Sequence, residues 1–585
     1  MENQNLKNLR HSCAHLLAAA VMNLWPDAKR TIGPAIDNGF YFDFEFSHPI
    51  SEADFPKIEQ KMHEIAKQWD KFVRHELPAE EAKNEYPDNP YKHELIDEIA
   101  KKGEKISFYK SGDYWDLCEG GHVDNPKEQL KYFKLLSIAG AYWRGNEKNK
   151  MLTRIYGTCF STKEELDKYL WQLEEAKKRD HRRLGQELEL FTISPQVGQG
   201  LTLWLPKGAT IRRQIEDYMV REQTKLGFQH VYSPHIGLKT LWERSGHWDL
   251  YRDKMYTPMA MEDNEFLVKP MTCPMHIQSY LFKPRSYRDL PFRIAEIAAV
   301  YRYEKSGELN GLLRVRAFTQ DDAHIFCTEE QAVDEFLTVF NFIQRLYKVF
   351  GFDNYRVRLG VRSKKEKYLG SDELWERAQK KAIDALEKSG SQYFISEGDA
   401  AFYGPKADFL IKDALGREWQ CGTVQIDFML PERFGLKYIG SDGQEKTPVM
   451  IHRAPLGSLE RFLAILIENY AGAFPVWLSP VQVAILPVSD KFLDYVGRIK
   501  TEFEKSGVRA EINSDNLTLG KKIRQSTLQK IPYMVIIGEK EAGSAGMNLK
   551  SPAVISVRTR EGKDLGQMPI NEFLKKIKDQ IENHS

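Results

Sequence analysis

The sequence has little that would tie it to a membrane or to an oxidising compartment. It begins Met1-Glu-Asn-Gln-Asn, with no basic segment followed by an apolar one, and nowhere strings together the roughly 18 apolar residues that a spanning helix needs. Both absences point to a cytoplasmic protein without membrane contact. Only six cysteines (Cys13, Cys118, Cys159, Cys273, Cys327 and Cys421) are scattered over 585 residues, too irregular for a disulfide framework. Any that matter do chemistry or bind metal. Net charge is equally scarce: 84 Lys and Arg meet 83 Asp and Glu, so a nucleic-acid partner has to be read from local stripes. Internal repeats and low-complexity tracts are missing too, which argues against solenoids and long disordered tracts.

What is there is a globular composition, 42% hydrophobic and 12% aromatic, in a chain too long for one core. Residues 1–160 mix strand-like runs such as GFYFDFEF, alternating aromatics with acids, and helical ones such as EADFPKIEQKMHEIAKQ, which reads as one α+β domain. Residues 161–189 read as a charged linker helix whose basic cluster, Lys177, Lys178, Arg179, Arg182 and Arg183, fits either an RNA contact or a solvated face. A larger α+β region spans 190–479. Residues 480–585 alternate apolar strands with amphipathic helices, the βαβ signature of a small α/β domain.

Near the start, LRHSCAHLL carries His11 and His15 at i, i+4, one helix face. Alone, this pair fits a zinc half-site, a hydrolytic centre or two unrelated histidines. The stretch FRIAEIAAVYRYEKSGELNGLLRVRAFTQDDAHIF reads as strand, loop, strand, with Arg302 and Glu304 sharing a face of the first strand, and Phe318, Gln320, Asp322 and His324 one face of the second. Burying so many polar groups is costly unless a ligand or metal satisfies them; a solvated antiparallel face is the alternative. In PVMIHRAPLGSLERFLAILIENY, Gly457 and Ser458 stand at the mouth of an amphipathic helix with Arg461 in its first turn, an arrangement suited to phosphate. Cys273, in a Pro-flanked turn, His324 and His452 supply the three N/S ligands of a catalytic zinc. With 51 and 128 positions separating them, no short motif links the three, and a lone buried cysteine is the competing reading.

These segments resemble a known family. GFQHVYSPHI with Pro234, the strand–loop–strand stretch and GSLERF are similar to motifs 1, 2 and 3 of class II aminoacyl-tRNA synthetases, and MTCPMH, TQDDAHIFC, AFYGPKADF, WQCGTVQIDF and VMIHRAPLGSLERF together resemble the threonyl-tRNA synthetases. The resemblance runs from about residue 5 to the C-terminus. It implies an antiparallel-sheet catalytic core, a homodimer, and ATP-dependent ligation of L-threonine to tRNA(Thr) with Mg2+ accompanying ATP. Arg302 would hold the α-phosphate, Glu304 would contact adenine, and Phe318 and Arg461 would flank it, with Ser458 nearby. One zinc per chain would be ligated by Cys273, His324 and His452 and completed by threonine's amino and hydroxyl groups. Asp322 would take the hydroxyl hydrogen, Gln320, Tyr403 and Gln425 would touch substrate, and Lys406 would touch ATP.

Such a zinc excludes valine, which lacks the hydroxyl. Serine lacks only a methyl, worth roughly 1–3 kcal/mol, too little for accurate translation. A second, hydrolytic site is therefore expected, and RHSCAH (His11, His15) and YWDLCEGGH (Asp116, Cys118, His122) resemble the family's editing domain, which hydrolyses serine from mischarged tRNA(Thr). Lys92 stands where that family carries a catalytic lysine. The His, His, Cys, His set also suits tetrahedral zinc, although the family is described as metal-free here.

The C-terminal domain resembles an anticodon-binding domain, with Asn516, Glu541 and Arg558 at its base-reading positions. The loop AGSAGMNLKSPAVI is longer than the family pattern, and the chain starts close to the editing domain, without the small ubiquitin-like domain of many bacterial members. Rival readings are a seryl or prolyl synthetase, against which the Cys/His/His trio speaks, and a non-catalytic RNA-binding paralogue, which would have no need of phosphate-clamping arginines.

Overall fold

The computed structural model describes residues 4–365, 367–413, 416–544 and 553–585; most of the AGSAGMNLKSPAVI loop lies outside them. Two compact units emerge, Met1–Glu174 and Glu175–Ser585. Among the described residues, no helix is long and apolar enough to cross a membrane.

In the first unit the helix Gln4–Leu24 buries nearly every residue from Leu9 to Val21, because its alanines and leucines cover more than one face. It packs on an antiparallel sheet containing Gly39–Glu45, Met151–Phe160 and Tyr132–Tyr142. Phe40, Phe42 and Phe44 enter the shared core, as their alternation requires. Asp43, also buried, is held by Arg154 through bonds of 2.7 and 2.8 Å. A second small sheet, Val73–Glu76, Ser107–Ser111 and Tyr114–Leu117, delivers Asp116 and ends beside Cys118.

The expected single linker helix is two helices, Lys163–Arg179 and His181–Glu187. Asp180 leaves the α region (φ −51°, ψ 120°) and its carboxylate caps the second helix by accepting Arg182 N–H at 2.8 Å. The break turns His181 inward, where it is buried.

The second unit is organised by an eight-stranded sheet. Its order is Gln229–His230, Phe292–Tyr301, Ala317–Cys327, Val449–Ala454, Glu418–Asp427, Lys406–Lys412, Tyr355–Val361, Tyr393–Glu397, antiparallel except at the two edges. The helices Ala332–Val349 and Leu459–Tyr470 bury their apolar faces in its core. A separate five-stranded sheet follows: Ala510–Ile512, Val483–Pro487 and Tyr533–Ile537 are parallel, as the βαβ reading requires, and Val554–Thr559 and Asp564–Pro569 extend it antiparallel.

Two local expectations need correction. Arg302 and Glu304 lie beyond the first strand, which ends at Tyr301, because the backbone leaves the ladder there and Tyr303 N–H bonds Lys254 O at 2.9 Å. Cys273 opens the helix Cys273–Leu281 instead of sitting in a turn; Pro274 falls in the first helical turn, where a missing N–H costs nothing.

Candidate functional site

One rung of the large sheet aligns four of the expected residues. Register pairs His324 with His452, His452 with Gln425, and Gln425 with Lys406, a convergence that depends on strand order and is invisible along the chain. The start of the 273–281 helix adds Cys273, and the ligand atoms of Cys273, His324 and His452 all lie within 4.8 Å of one another.

Carboxylates anchor the hydrogen bonds around this trio at both ends. Glu296 is held down to about 2: burial pushes it up, but bonds from His276 and Ser233 and the Lys269 ammonium outweigh it. As an anion it accepts His276 Nε2–H at 3.1 Å, so His276 Nδ1 accepts, and His324 Nδ1–H donates to it at 2.7 Å. On the other side His452 Nε2–H donates to Asp427 Oδ2 at 2.8 Å. With the single proton of His324 placed on Nδ1, His324 Nε2 and His452 Nδ1 face each other bare at 3.0 Å; placed on Nε2 instead, it leaves the bare pair between His324 Nδ1 and His276 Nδ1. Neutral nitrogens so arranged repel unless a cation lies against both, and histidines fixed by an anchor on the far nitrogen are the usual surroundings of a metal. Burial pushes the Cys273 thiol well up, so its deprotonation calls for a cation as well. The donor set, one sulfur and two nitrogens, fits zinc.

The remaining substrate candidates surround the trio. Asp322 accepts a hydrogen bond from Thr272 Oγ1, and Tyr403 stacks on the His452 ring at 4.6 Å. Gln425 Oε1 is buried with no partner among the described residues. Lys406 pairs with Asp408 at 3.1 Å.

A cleft of about 330 Å³ is lined by Arg302, Glu304, Phe318, Gln320, Ser458 and Arg461, together with Lys254 and Arg314, which sequence reasoning missed. Lys406 is not among its lining residues. The Arg302 guanidinium lies 4.9 Å from the Phe318 ring centre, and Glu304 is paired with Lys254 at 2.8 Å. Ser458 caps the 459–470 helix by accepting Arg461 N–H at 3.3 Å. Arg461 itself is braced on two carbonyls, Leu313 O at 3.0 Å and Gln420 O at 2.8 Å. The result is a wall of fixed cations opposite one aromatic face.

The first unit brings His11, His15, Cys118 and His122 together, again within 4.8 Å. Gly120 and Gly121, at φ 110° and 84°, make the turn that folds His122 back over Cys118. Cys118 Sγ lies 3.1 Å from His11 Nε2 and 3.3 Å from His122 Nε2, and His122 Nδ1 meets Ser12 Oγ at 3.1 Å. Burial holds His11 and His15 down and, together with His11, lowers His122 to about 3, while burial pushes Cys118 up to about 12. The site therefore presents neutral imidazoles and a protonated thiol. Among the described residues no carboxylate is hydrogen-bonded to these imidazoles. The nearby Asp116 is instead taken up by Lys92 at 2.9 Å, Arg30 at 3.1 Å, and the hydroxyls of Tyr86 and Tyr114 at 2.6 and 2.9 Å. His11, His15, Lys92, Asp116 and Cys118 all line one cavity of about 640 Å³.

In the C-terminal domain Asn516, in the loop between the strand Ala510–Ile512 and the helix Leu519–Leu528, is exposed. Glu541 is buried and accepts from Gly538 N–H, Ser556 Oγ and Gln567 Nε2 at 2.8, 2.6 and 2.7 Å, so internal donors already occupy it. Arg558 lies on the strand Val554–Thr559, its Nε buried without a hydrogen-bond partner among the described residues.

Comparisons with known proteins agree with this organisation. Residues 256–470 match the model of the tRNA synthetase class II core domain (G, H, P, S and T), 482–580 the anticodon binding domain, and 106–156 the threonyl and alanyl tRNA synthetase second additional domain. The chain is 52% identical over 576 residues to the threonine–tRNA ligase of Acetivibrio thermocellus, covering 98% of this chain and 88% of that one. With the threonine–tRNA ligase of Thermus thermophilus it shares 49% over 582 residues, 97% and 87% of the two chains. Among solved structures, the RNA binding domain of threonyl-tRNA synthetase from Cryptosporidium parvum superimposes with a TM-score of 0.65 at 37% identity, covering 68% of this chain and 98% of that chain. A prolyl-tRNA synthetase from the same organism, at 16% identity and a TM-score of 0.51, shares the fold. The chain belongs to the threonine–tRNA ligase family of class II aminoacyl-tRNA synthetases.

Proposed function

We propose that the chain selects L-threonine at a zinc ion held by Cys273, His324 and His452, joins it through an adenylate to tRNA(Thr), and hydrolyses Ser-tRNA(Thr) in its first unit. The convergence of the Cys273, His324 and His452 donor atoms within 4.8 Å of one another, with carboxylates behind the imidazoles, is the observation that carries this reading. Bound there, zinc would supply a Lewis-acid position for the amino and hydroxyl groups of threonine. Asp322, next to the trio, takes the hydroxyl hydrogen, and Gln425, with an unpaired buried oxygen, is an acceptor for the amino group; Gln320 and Tyr403 complete the walls.

ATP, with Mg2+, lies in the 330 Å³ cleft. Arg302 meets the α-phosphate, Phe318 and Arg461 flank adenine, Glu304 reads its edge, and Ser458 presents the helix mouth. Because the cations are fixed before substrate arrives, the charge that grows on the α-phosphate oxygens is stabilised without reorganisation, an effect worth about 3–4 kcal/mol per donor. Lys406, paired with Asp408, is a further ATP contact.

In the editing cavity a water is positioned by the neutral imidazoles of His11, His15 and His122, with the Lys92 ammonium held toward the ester by Asp116. A protonated Cys118 is a poor nucleophile, so attack by water is favoured over a covalent step, and no metal is required. Asn516, Glu541 and Arg558 remain the proposed anticodon readers. We assign editing to 1–160, the linker to 161–189, the catalytic core to 190–479 and anticodon binding to 480–585. The short edge strand 229–230, with Tyr232 93% and Phe282 88% exposed nearby, suits a homodimer in the cytoplasm.

ATP/pyrophosphate exchange with threonine, serine and valine tests the activation site. The expected order is strong, weaker and absent, with Cys273→Ala inactive; exchange with none of the three would leave the RNA-binding paralogue as the reading.

A further inference from the structure

We propose that His181 is a positioning residue for ATP: it pins the turn at residues 310–314 that braces Arg461. The inference rests on reading the 330 Å³ cleft as the ATP site, but the residue lies outside every motif discussed above. His181 is 1% exposed and uses both ring nitrogens. Its Nε2 accepts Leu312 N–H at 3.1 Å, so Nδ1 carries the proton and donates to Glu468 Oε1 at 2.8 Å. Glu468 is itself buried on the helix Leu459–Tyr470, the same helix that carries Arg461.

The turn is thus held from two sides. His181 takes the N–H of Leu312, and Arg461 Nε takes the C=O of Leu313 at 3.0 Å. Leu313, Arg314 and Val315 then form one wall of the cleft. Gly311 permits the approach: it adopts φ 49°, and a Cβ there would stand 2.2 Å from His181 Nε2. Leu312 is fully buried, so without His181 its N–H is left unpaired away from water, a state the turn escapes by shifting. Arg461 loses its brace in that shift. His181 touches neither substrate nor metal trio, so its effect falls on ATP and not on threonine.

The test is steady-state ATP/pyrophosphate exchange on the full chain with ATP and threonine varied separately. His181→Phe keeps the ring and loses both bonds. It should raise KM for ATP about tenfold while KM for threonine and zinc content stay near wild type. His181→Gln, which keeps an acceptor and a donor, should recover part of the loss. Gly311→Ala, pressing on the contact from the opposite side, should reproduce the phenylalanine variant and decides the matter if that variant does not fold. Equal changes in both KM values, or a lowered Tm with unchanged KM for ATP, would overturn the role. Arg461→Ala separates the two readings: if it leaves KM for ATP unchanged, the cleft is not the ATP site, whatever His181 does.

Discussion

The two Cys/His clusters use the same residue types and differ in what stands behind them. Behind Cys273, His324 and His452, each imidazole is fixed through its far nitrogen, by Asp427 or by the His276–Glu296 relay, and the donor atoms converge. Behind the first unit's imidazoles stand the Gly33 backbone carbonyl, on His11, and the Ser12 hydroxyl, on His122, but no carboxylate among the described residues. The rings pack on each other, His11 on His122 at 4.7 Å and Phe72 on His122 at 3.9 Å, and a polar chain runs from Ser12 through His122 to Cys118. The first arrangement favours a metal and the second favours positioning a water by neutral imidazoles. Ligand identity alone suits a metal at both; the carboxylates behind the first set it apart.

The strongest way to break this contrast is His122→Ala. If His122 helps to position the water, deacylation of Ser-tRNA(Thr) should fall by about 10²-fold, with zinc content and ATP/pyrophosphate exchange unchanged. Loss of a bound metal from the first unit in this variant would erase the distinction.

Asp427→Asn sharpens it from the other side. Removing the anchor of His452 should weaken zinc binding about 10–100-fold, read by competition with a chromophoric chelator. Unchanged affinity would mean that the anchor is incidental.

The smallest effect is on stability. His122 is held down to about 3 from 6.5, by burial and by His11, and burial shifts His11 and His15 in the same direction. Between these limits the unfolded chain binds more protons than the folded one, so stability rises with pH and is lost as pH falls from about 6.5 toward 3. Thermal unfolding should show Tm dropping by a few degrees between pH 7 and pH 5, less steeply in His122→Phe. A Tm independent of pH in that window would mean that these imidazoles titrate alike in the folded and unfolded chain, and would contradict the shift.

Much of this was legible in the sequence, and unevenly so. Period two put Phe318, Gln320, Asp322 and His324 on one strand face, and the structure spreads them from the 330 Å³ cleft to the Cys273, His324 and His452 cluster. The i, i+4 spacing put His11 and His15 on one helix face. The end of the first motif 2 strand was not legible, because Lys254, 49 positions before Tyr303, takes its N–H. Nor were Asp427, Glu296 and His276: their roles follow from the sheet register, although Cys273-Pro-Met-His276, a Cys and a His one helical turn apart, was a signal left unused. His181 stayed hidden inside a charged run because only the break at Asp180 turns it inward.

The most direct measurement is zinc per chain, by elemental analysis, in wild type, Cys273→Ala and Cys118→Ala purified alike. One zinc in wild type, none in Cys273→Ala and one in Cys118→Ala is the expected result. Two zincs in wild type, or a zinc that survives Cys273→Ala and disappears in Cys118→Ala, would contradict it.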